Sequence, residues 1–314
     1  MNPSTSRRTF IKHTAAGAAA LAVTSGAQAK APEKGKRDFG ISLAAWSLHR
    51  TIGEGEGKVP MLDMPRMARE NWDIGAIELV SAMMPKSDKA YRDELAKNAA
   101  AHKVAIKLIM IDGQGNIGSA KPEECEEAVK NHKAWIDYAA DFGCHSIRMN
   151  WKGDDPGTEK DEALLDAFVK RSVPGFHALC EYGDTKNINV IIENHGGPSS
   201  YPHCVKKLMD AVKHPRFGTL PDFGNFPPEV DIYEGIDALM PYAKAVSAKC
   251  FDFDPVTGLH TDKDNKMVDF ERMLEICVDK HGYHGFIGIE FEGNIMSESD
   301  GIEAANNLLI KLRG

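Results

Sequence analysis

The chain has 314 residues, of which 42% are hydrophobic and 27% charged, the composition of an ordinary globular protein. Its formal net charge of −8 argues against a duplex nucleic-acid partner, which would demand a basic face. The six cysteines show no CxxC or zinc-ribbon spacing, so buried free thiols are expected.

The first element is a targeting segment. Arg7-Arg8-Thr9-Phe10-Ile11-Lys12 is a basic region, Ala15 to Val23 is an apolar stretch too short to span a bilayer, and Ala27-Gln28-Ala29 offers a small-residue cleavage site. The paired arginines, with Ser6, Phe10 and Lys12, make residues 1–29 a twin-arginine signal peptide, followed by a linker over 30–38. That signal implies export to the periplasm in a folded state, with any cofactor already seated. No later segment is apolar enough to cross a membrane.

From Phe39 onward, short apolar runs alternate with amphipathic ones. Strands are expected over 39–46, 75–81, 104–111, 145–151, 189–194, 217–223, 245–251 and 286–293. Helices fit 93–103, 123–143, 161–183, 202–214, 233–243, 269–282 and 301–312, with Pro174 expected to kink or break the third of them. Eight strands alternating with helices imply parallel pairing, and eight is the count that closes a barrel. The α/β reading is therefore a single (β/α)8 TIM barrel over 39–314. An open doubly wound sheet is the rival. "GQGNIG" (113–118) is its nearest phosphate turn, but an acidic helix follows and the stretch reads as a flexible loop on top of the barrel.

Active sites of such barrels sit at the C-terminal ends of the strands. Polar residues collect there: Glu193 after strand five, Asp222 after strand six, and Glu290 and Glu292 on strand eight. Lys249 lies on strand seven, Arg148 and Asn150 end strand four, Lys107 and Asp112 belong to strand three, and strand one runs into His49. Carboxylates converging on one mouth repel one another unless a cation holds them or one keeps its proton. Oxygen ligands suit Mn²⁺ or Mg²⁺. His195 shares strand parity with Glu193, and Gly196-Gly197 lets the chain turn to present it as a substrate contact or a ligand. Trp46, Trp151 and His49 could wall a pocket at the same end. Lys107 is read as pairing with acids inside the barrel.

The stretches "VIIENHGG" (190–197), "LPDFGNF" (220–226), "AVSAKCFDFD" (245–254) and "GFIGIEFEG" (285–293) resemble the xylose-isomerase-like TIM barrels, a superfamily of sugar-phosphate isomerases and epimerases that also includes apurinic endonuclease relatives. The resemblance implies a divalent metal on Glu193, Asp222 and Glu290, with the two glutamates also forming the acid/base pair on opposite faces of the sugar. It matches Lys249 to the family lysine of a His-x-Lys pattern. Here that pattern reads Ser247-Ala248-Lys249, so the imidazole ligand is missing. Three outcomes are open: three carboxylates plus water hold the metal, which is preferred; His195 or His260 substitutes; or binding is weakened or lost.

The resemblance implies a carbohydrate isomerase or epimerase that removes a proton beside a carbonyl through an enediolate, with Glu193, Glu290 and Lys249 in catalytic roles. His49, Arg148, His195, Trp46 and Trp151 would contact the sugar. A lyase acting on keto-glycosides through the same intermediate, and a non-catalytic sugar-binding barrel, are the alternatives. A phosphodiesterase is opposed by the acidic charge. Phosphorylated sugars are cytoplasmic, so export implies an unphosphorylated sugar or keto-sugar. The partner is a small carbohydrate, with no nucleic acid and no membrane span. A homo-oligomer is allowed by the sequence but not specified by it.

Overall fold

A computed structural model of the protein describes residues 35–153, 155–254, 260–261 and 267–314. The signal segment and most of the linker lie outside the described residues. One compact unit runs from Lys36 to Gly314.

Eight parallel strands form one sheet: β1 (Gly40–Ala44), β2 (Ala76–Val80), β3 (Ala105–Ile111), β4 (Ser146–Met149), β5 (Asn189–Glu193), β6 (Phe217–Leu220), β7 (Val246–Cys250) and β8 (Phe286–Phe291). Their order is β6-β5-β4-β3-β2-β1-β8-β7. The sheet closes on itself at β6 and β7 through single bridges, Thr219 with Ala243 and Asp222 with Ser247. There the Ser247 N–H donates to the Pro221 carbonyl at 2.9 Å and the Phe223 N–H to the Ser247 carbonyl at 3.1 Å. The result is the (β/α)8 barrel expected from the strand count. Every residue of β2, β4 and β7 is buried. Parallel strands covered by helices on one face and by barrel packing on the other must be apolar almost throughout. That is why they stand out in the sequence.

The helices are α1 (Met64–Trp72), α2 (Lys89–Ala101), α3 (Pro122–Phe142), α4 (Glu162–Lys186), α5 (Pro202–Val212), α6 (Ile232–Leu239), α7 (Phe270–Leu274) and α8 (Glu298–Arg313). Side-chain caps fix several entries: Asp88, Asp161, Asp231, Asp269 and Ser297 each accept a first-turn N–H. Each such cap stabilises by about 0.5–2 kcal/mol. Helix α1 is absent from the sequence reading, and α7 passes into a π-turn over Glu275–Lys280 where one continuous helix was expected. Helix α4 runs unbroken past Pro174. The 113–118 loop is packed rather than loose: Ile117 is buried, and a Cβ on Gly118 would collide with Phe168 and Ser172. All six cysteines are free, and five of them are buried. Among the described residues no helix is long and apolar enough to cross a membrane.

Candidate active site

The barrel register builds the site. Glu193 is the last residue of β5 and pairs with Leu220 of β6. Asp222 lies two residues further on, bridged to Ser247 of β7. On β7, Ser247 is level with Gly288 and Lys249 with Glu290 of β8. Glu193, Asp222 and Glu290 are thereby brought together, each offering a carboxylate oxygen within 4.8 Å of the others, and all three are buried.

Neighbouring side chains fix each carboxylate. Asn194 clamps Asp222 by its main chain, with Nδ2 donating to the Asp222 carbonyl at 2.9 Å and Oδ1 accepting the Asp222 N–H at 2.8 Å. The Gly224 N–H then donates to Asp222 Oδ1 at 2.9 Å. Asn225 donates to Glu193 Oε1 at 2.8 Å and accepts from Lys249 Nζ at 3.2 Å. Lys249, only 2% exposed, also lies 3.1 Å from Glu290 and 3.2 Å from Glu292. Ser247 Oγ donates to Glu290 Oε2 at 3.2 Å. Neither Asn194 nor Asn225 figured in the sequence reading. Both follow a candidate carboxylate by one or three residues, which is the only signal the sequence carries for them.

Arg148, expected as a sugar contact, is buried and paired with acids of the site. Its guanidinium lies 2.8 Å from Glu193 Oε2 and 2.9 Å from Asp112, and Asn150 shares the same Asp112 oxygen at 2.7 Å. His195 sits at the mouth as expected. Gly196 and Gly197 both have positive φ, and a Cβ on Gly197 would run into the Lys152 carbonyl, so the turn requires glycine there. The His195 N–H donates to Ser199 Oγ at 3.0 Å, while its ring Nδ1 is buried with no hydrogen-bond partner among the described residues. Neither His195 nor His260 joins the carboxylate group. His260 instead accepts the Phe251 N–H at 2.9 Å and packs between Phe253 and Phe270.

Trp46 and His49 stack at 5.1 Å and line a cleft at the ends of β1 and β2. Trp151 does not wall a pocket. It is fully buried on Phe168 and its indole N–H donates to Ser172. Strand parity accounts for this: Arg148 and Asn150 face the barrel mouth, so Trp151 faces the helices. Lys107 does not pair with a barrel acid either; its ammonium lies 4.5 Å over the ring of Phe286. An acid that sequence reasoning passed over, Glu78 of β2, is buried in the barrel against Gly288, with Ser42 donating to it at 2.6 Å.

The electrostatics leave the site short of positive charge. Among the described residues, the ion pairs to Asp112, Glu193, Glu290 and Glu292 come from Arg148 and Lys249. Burial raises the Glu193 carboxyl to about 7 against the pull of Arg148, with Glu290 adding repulsion. Burial also raises Asp222 well above the carboxylate range despite Lys249. For Glu290, burial is outweighed by Lys249, and its value falls below the ordinary one. Burial, with Arg148 and Lys249 nearby, pushes His195 down to about 4, so its ring is neutral near pH 7. Asp222 Oδ2 has no hydrogen-bond partner among the described residues, and Glu193 Oε2 has only the ion pair with Arg148, which lacks hydrogen-bond alignment. Three buried carboxylates with oxygens within 4.8 Å of one another form an all-oxygen donor set that fits a hard divalent cation, and Glu193, Asp222 and Glu290 are the residues that could hold it.

Comparison with known proteins agrees with this geometry. Among curated protein sequences none matches the chain. In fold it is similar to a xylose isomerase-like TIM barrel protein from Mycobacterium smegmatis solved in complex with magnesium, at 20% identity and a TM-score of 0.64, covering 88% of this chain and 96% of that one. It is likewise similar to the 3-keto-D-glucoside 4-epimerase YcjR of E. coli, at 14% identity and a TM-score of 0.64, covering 88% and 99%. The probable 3-DHS dehydratase AsbF of Bacillus anthracis gives 16% identity and a TM-score of 0.65, covering 87% and 99%. The sequence pattern of one family matches residues 65–312, nearly the whole barrel: the chain belongs to the xylose isomerase-like TIM barrels.

Proposed function

We propose that the protein is a divalent-metal-dependent carbohydrate isomerase or epimerase that abstracts a proton beside a carbonyl, acting on an unphosphorylated sugar or keto-sugar. The observation that carries this reading is the buried Glu193–Asp222–Glu290 group, whose carboxylate oxygens lie within 4.8 Å of one another, with Asp222 Oδ2 left without a hydrogen-bond partner among the described residues. The epimerase and dehydratase among similar folds support a sugar-modifying enzyme in general.

Each residue has a task. Glu193 ends β5 and Glu290 lies on β8, and in this reading the two carboxylates serve opposite faces of the sugar. Lys249 holds Glu290 ionised, which suits it to accept the α-proton. Glu193 retains a proton more readily, which suits it to return one on the other side. Mn²⁺ or Mg²⁺ held by the three carboxylates would polarise the carbonyl and its neighbouring hydroxyl and lower the cost of the enediolate. Neutral His195 can donate a hydrogen bond to a sugar hydroxyl. The same intermediate can expel a β-leaving group, so a lyase is a neighbouring outcome of one site. Export by the twin-arginine signal over residues 1–29 would place the enzyme in the periplasm, where sugar phosphates are scarce.

Proton exchange tests the reading. Ketoses incubated in D₂O with Mn²⁺-loaded protein should take up deuterium beside the carbonyl, and a chelator should abolish the uptake. A broad ketose panel with no exchange on metal-replete protein would refute it.

A further inference from the structure

A cleft of about 810 Å³, lined by Trp46 and His49 just past β1 and by Ala82 and Met83 just past β2, lies at the same end of the barrel as the carboxylate group. We propose that it binds a second sugar ring, so that the substrate is a keto-disaccharide or other keto-glycoside rather than a free monosaccharide. This rests on the reading of the carboxylates as the reaction site.

Register places the cleft next to that site. Leu43 of β1 is paired with Ile289 of β8, so Ala44, the last residue of β1, follows level with Glu290, and Trp46 stands in the 3-10 turn Ala45–Leu48 that continues β1. The cleft thus begins just past the strand that neighbours Glu290, on the side to which a second ring would extend. The far wall comes from Ala82 and Met83, just past the end of β2, and from Tyr91 and Glu94 of α2. At 810 Å³ the cleft falls in the range typical of small-molecule sites and exceeds what one hexose ring needs.

Its chemistry suits a neutral polyol. The stacked Trp46–His49 pair, with an interplanar angle of 19°, offers a flat aromatic platform for the C–H face of a pyranose. Tyr91 has its hydroxyl oxygen buried with no hydrogen-bond partner among the described residues, and burial raises it to about 12 with Glu54 and Glu94 adding to the effect. That hydroxyl stays protonated and can bond a sugar hydroxyl. Formal charge in the lining balances, with Lys58 and Lys86 against Glu54 and Glu94, and Lys58 already donates to the Arg50 carbonyl at 2.5 Å. A phosphate subsite would need an excess of free donors and positive charge. The balanced rim instead favours an uncharged ring.

The test compares D-fructose with keto-disaccharides carrying the same reducing ketose: lactulose, turanose and isomaltulose. Calorimetry on the Mn²⁺-loaded full-length mature protein measures each affinity, and deuterium exchange in D₂O is followed in parallel. At least one disaccharide should bind ten times more tightly than fructose or better. In Trp46→Ala and Tyr91→Phe, checked as folded by thermal melting, that ratio should fall toward one. A ratio near one for every disaccharide in the wild type, or a preference that survives both substitutions, overturns the proposal. Disaccharide preference without exchange on any sugar supports the cleft while refuting the enolisation reading, so the two failures are separable.

Discussion

Lowering the pH from 8 to 6 should weaken divalent-cation binding about tenfold. A ligand carboxylate must be ionised to hold a cation, and Glu193 carries its proton up to about pH 7 in the cation-free site. At pH 8 roughly nine-tenths of that group is ionised and at pH 6 roughly one-tenth, which gives the tenfold ratio directly. Glu290 adds nothing, because Lys249 keeps it ionised across this range. Asp222 is also raised, so a second proton can only steepen the dependence. His195, with a value of about 4, stays neutral throughout and neither adds nor removes charge. Calorimetric titration with Mn²⁺ in two buffers of different ionisation enthalpy counts the released protons: Glu193 contributes about nine-tenths of a proton per cation at pH 6 and about one-tenth at pH 8, so release should fall as pH rises. An affinity that changes less than twofold over this interval, with no proton release, would show that the carboxylates do not share a low-dielectric site.

Three other perturbations follow from the same contacts. Glu78 has a folded-state value of about 7, raised from 4.5 chiefly by burial, so the native protein binds more protons than the unfolded chain between those values. Stability is therefore lost as pH rises from about 4.5 to 7, by about 3 kcal/mol from this group, and urea titrations of Glu78→Gln should show that slope reduced. Asn194→Ala removes both bonds to the Asp222 main chain and leaves a buried N–H and C=O unpaired. It should cost about 2–4 kcal/mol in chemical denaturation and weaken Mn²⁺ binding as Asp222 drifts. Ser247→His places a nitrogen beside Asp222 and Glu290 in an otherwise all-oxygen site. The affinity for Zn²⁺ relative to Mg²⁺, measured by competition, should rise at least about tenfold, and an unchanged ratio would place position 247 outside the coordination sphere.

The strands were legible because barrel burial imposes continuous apolar runs on them, and the three carboxylates because they interrupt those runs at one end. Helix α1 left a weaker trace. Its stripe of Met64, Met67, Ala68 and Trp72 spans only nine residues, with Pro65 near the start and no side-chain cap. Cross-strand relations escaped the linear reading altogether. Asn194 and Asn225 act on residues 28 and 32 positions away, and the closeness of Glu78 to Gly288 exists only after β1, β2 and β8 pair. Trp151 was misplaced for a different reason: the parity that sends Arg148 and Asn150 to the mouth sends the tryptophan to the helices, and that alternation was readable. The missing strand-seven imidazole has no histidine substitute in the carboxylate group, since His260 bonds the Phe251 main chain and His195 stands apart.

Metal content tests the central claim most directly. Protein purified without chelator and analysed for bound metals should carry about one Mn²⁺ or Mg²⁺ per chain. The Asp222→Asn and Glu290→Gln variants, folded by circular dichroism, should carry little or none. A wild-type protein that takes up no divalent cation, or variants that retain one at full occupancy, would contradict the assignment of Glu193, Asp222 and Glu290 as its ligands.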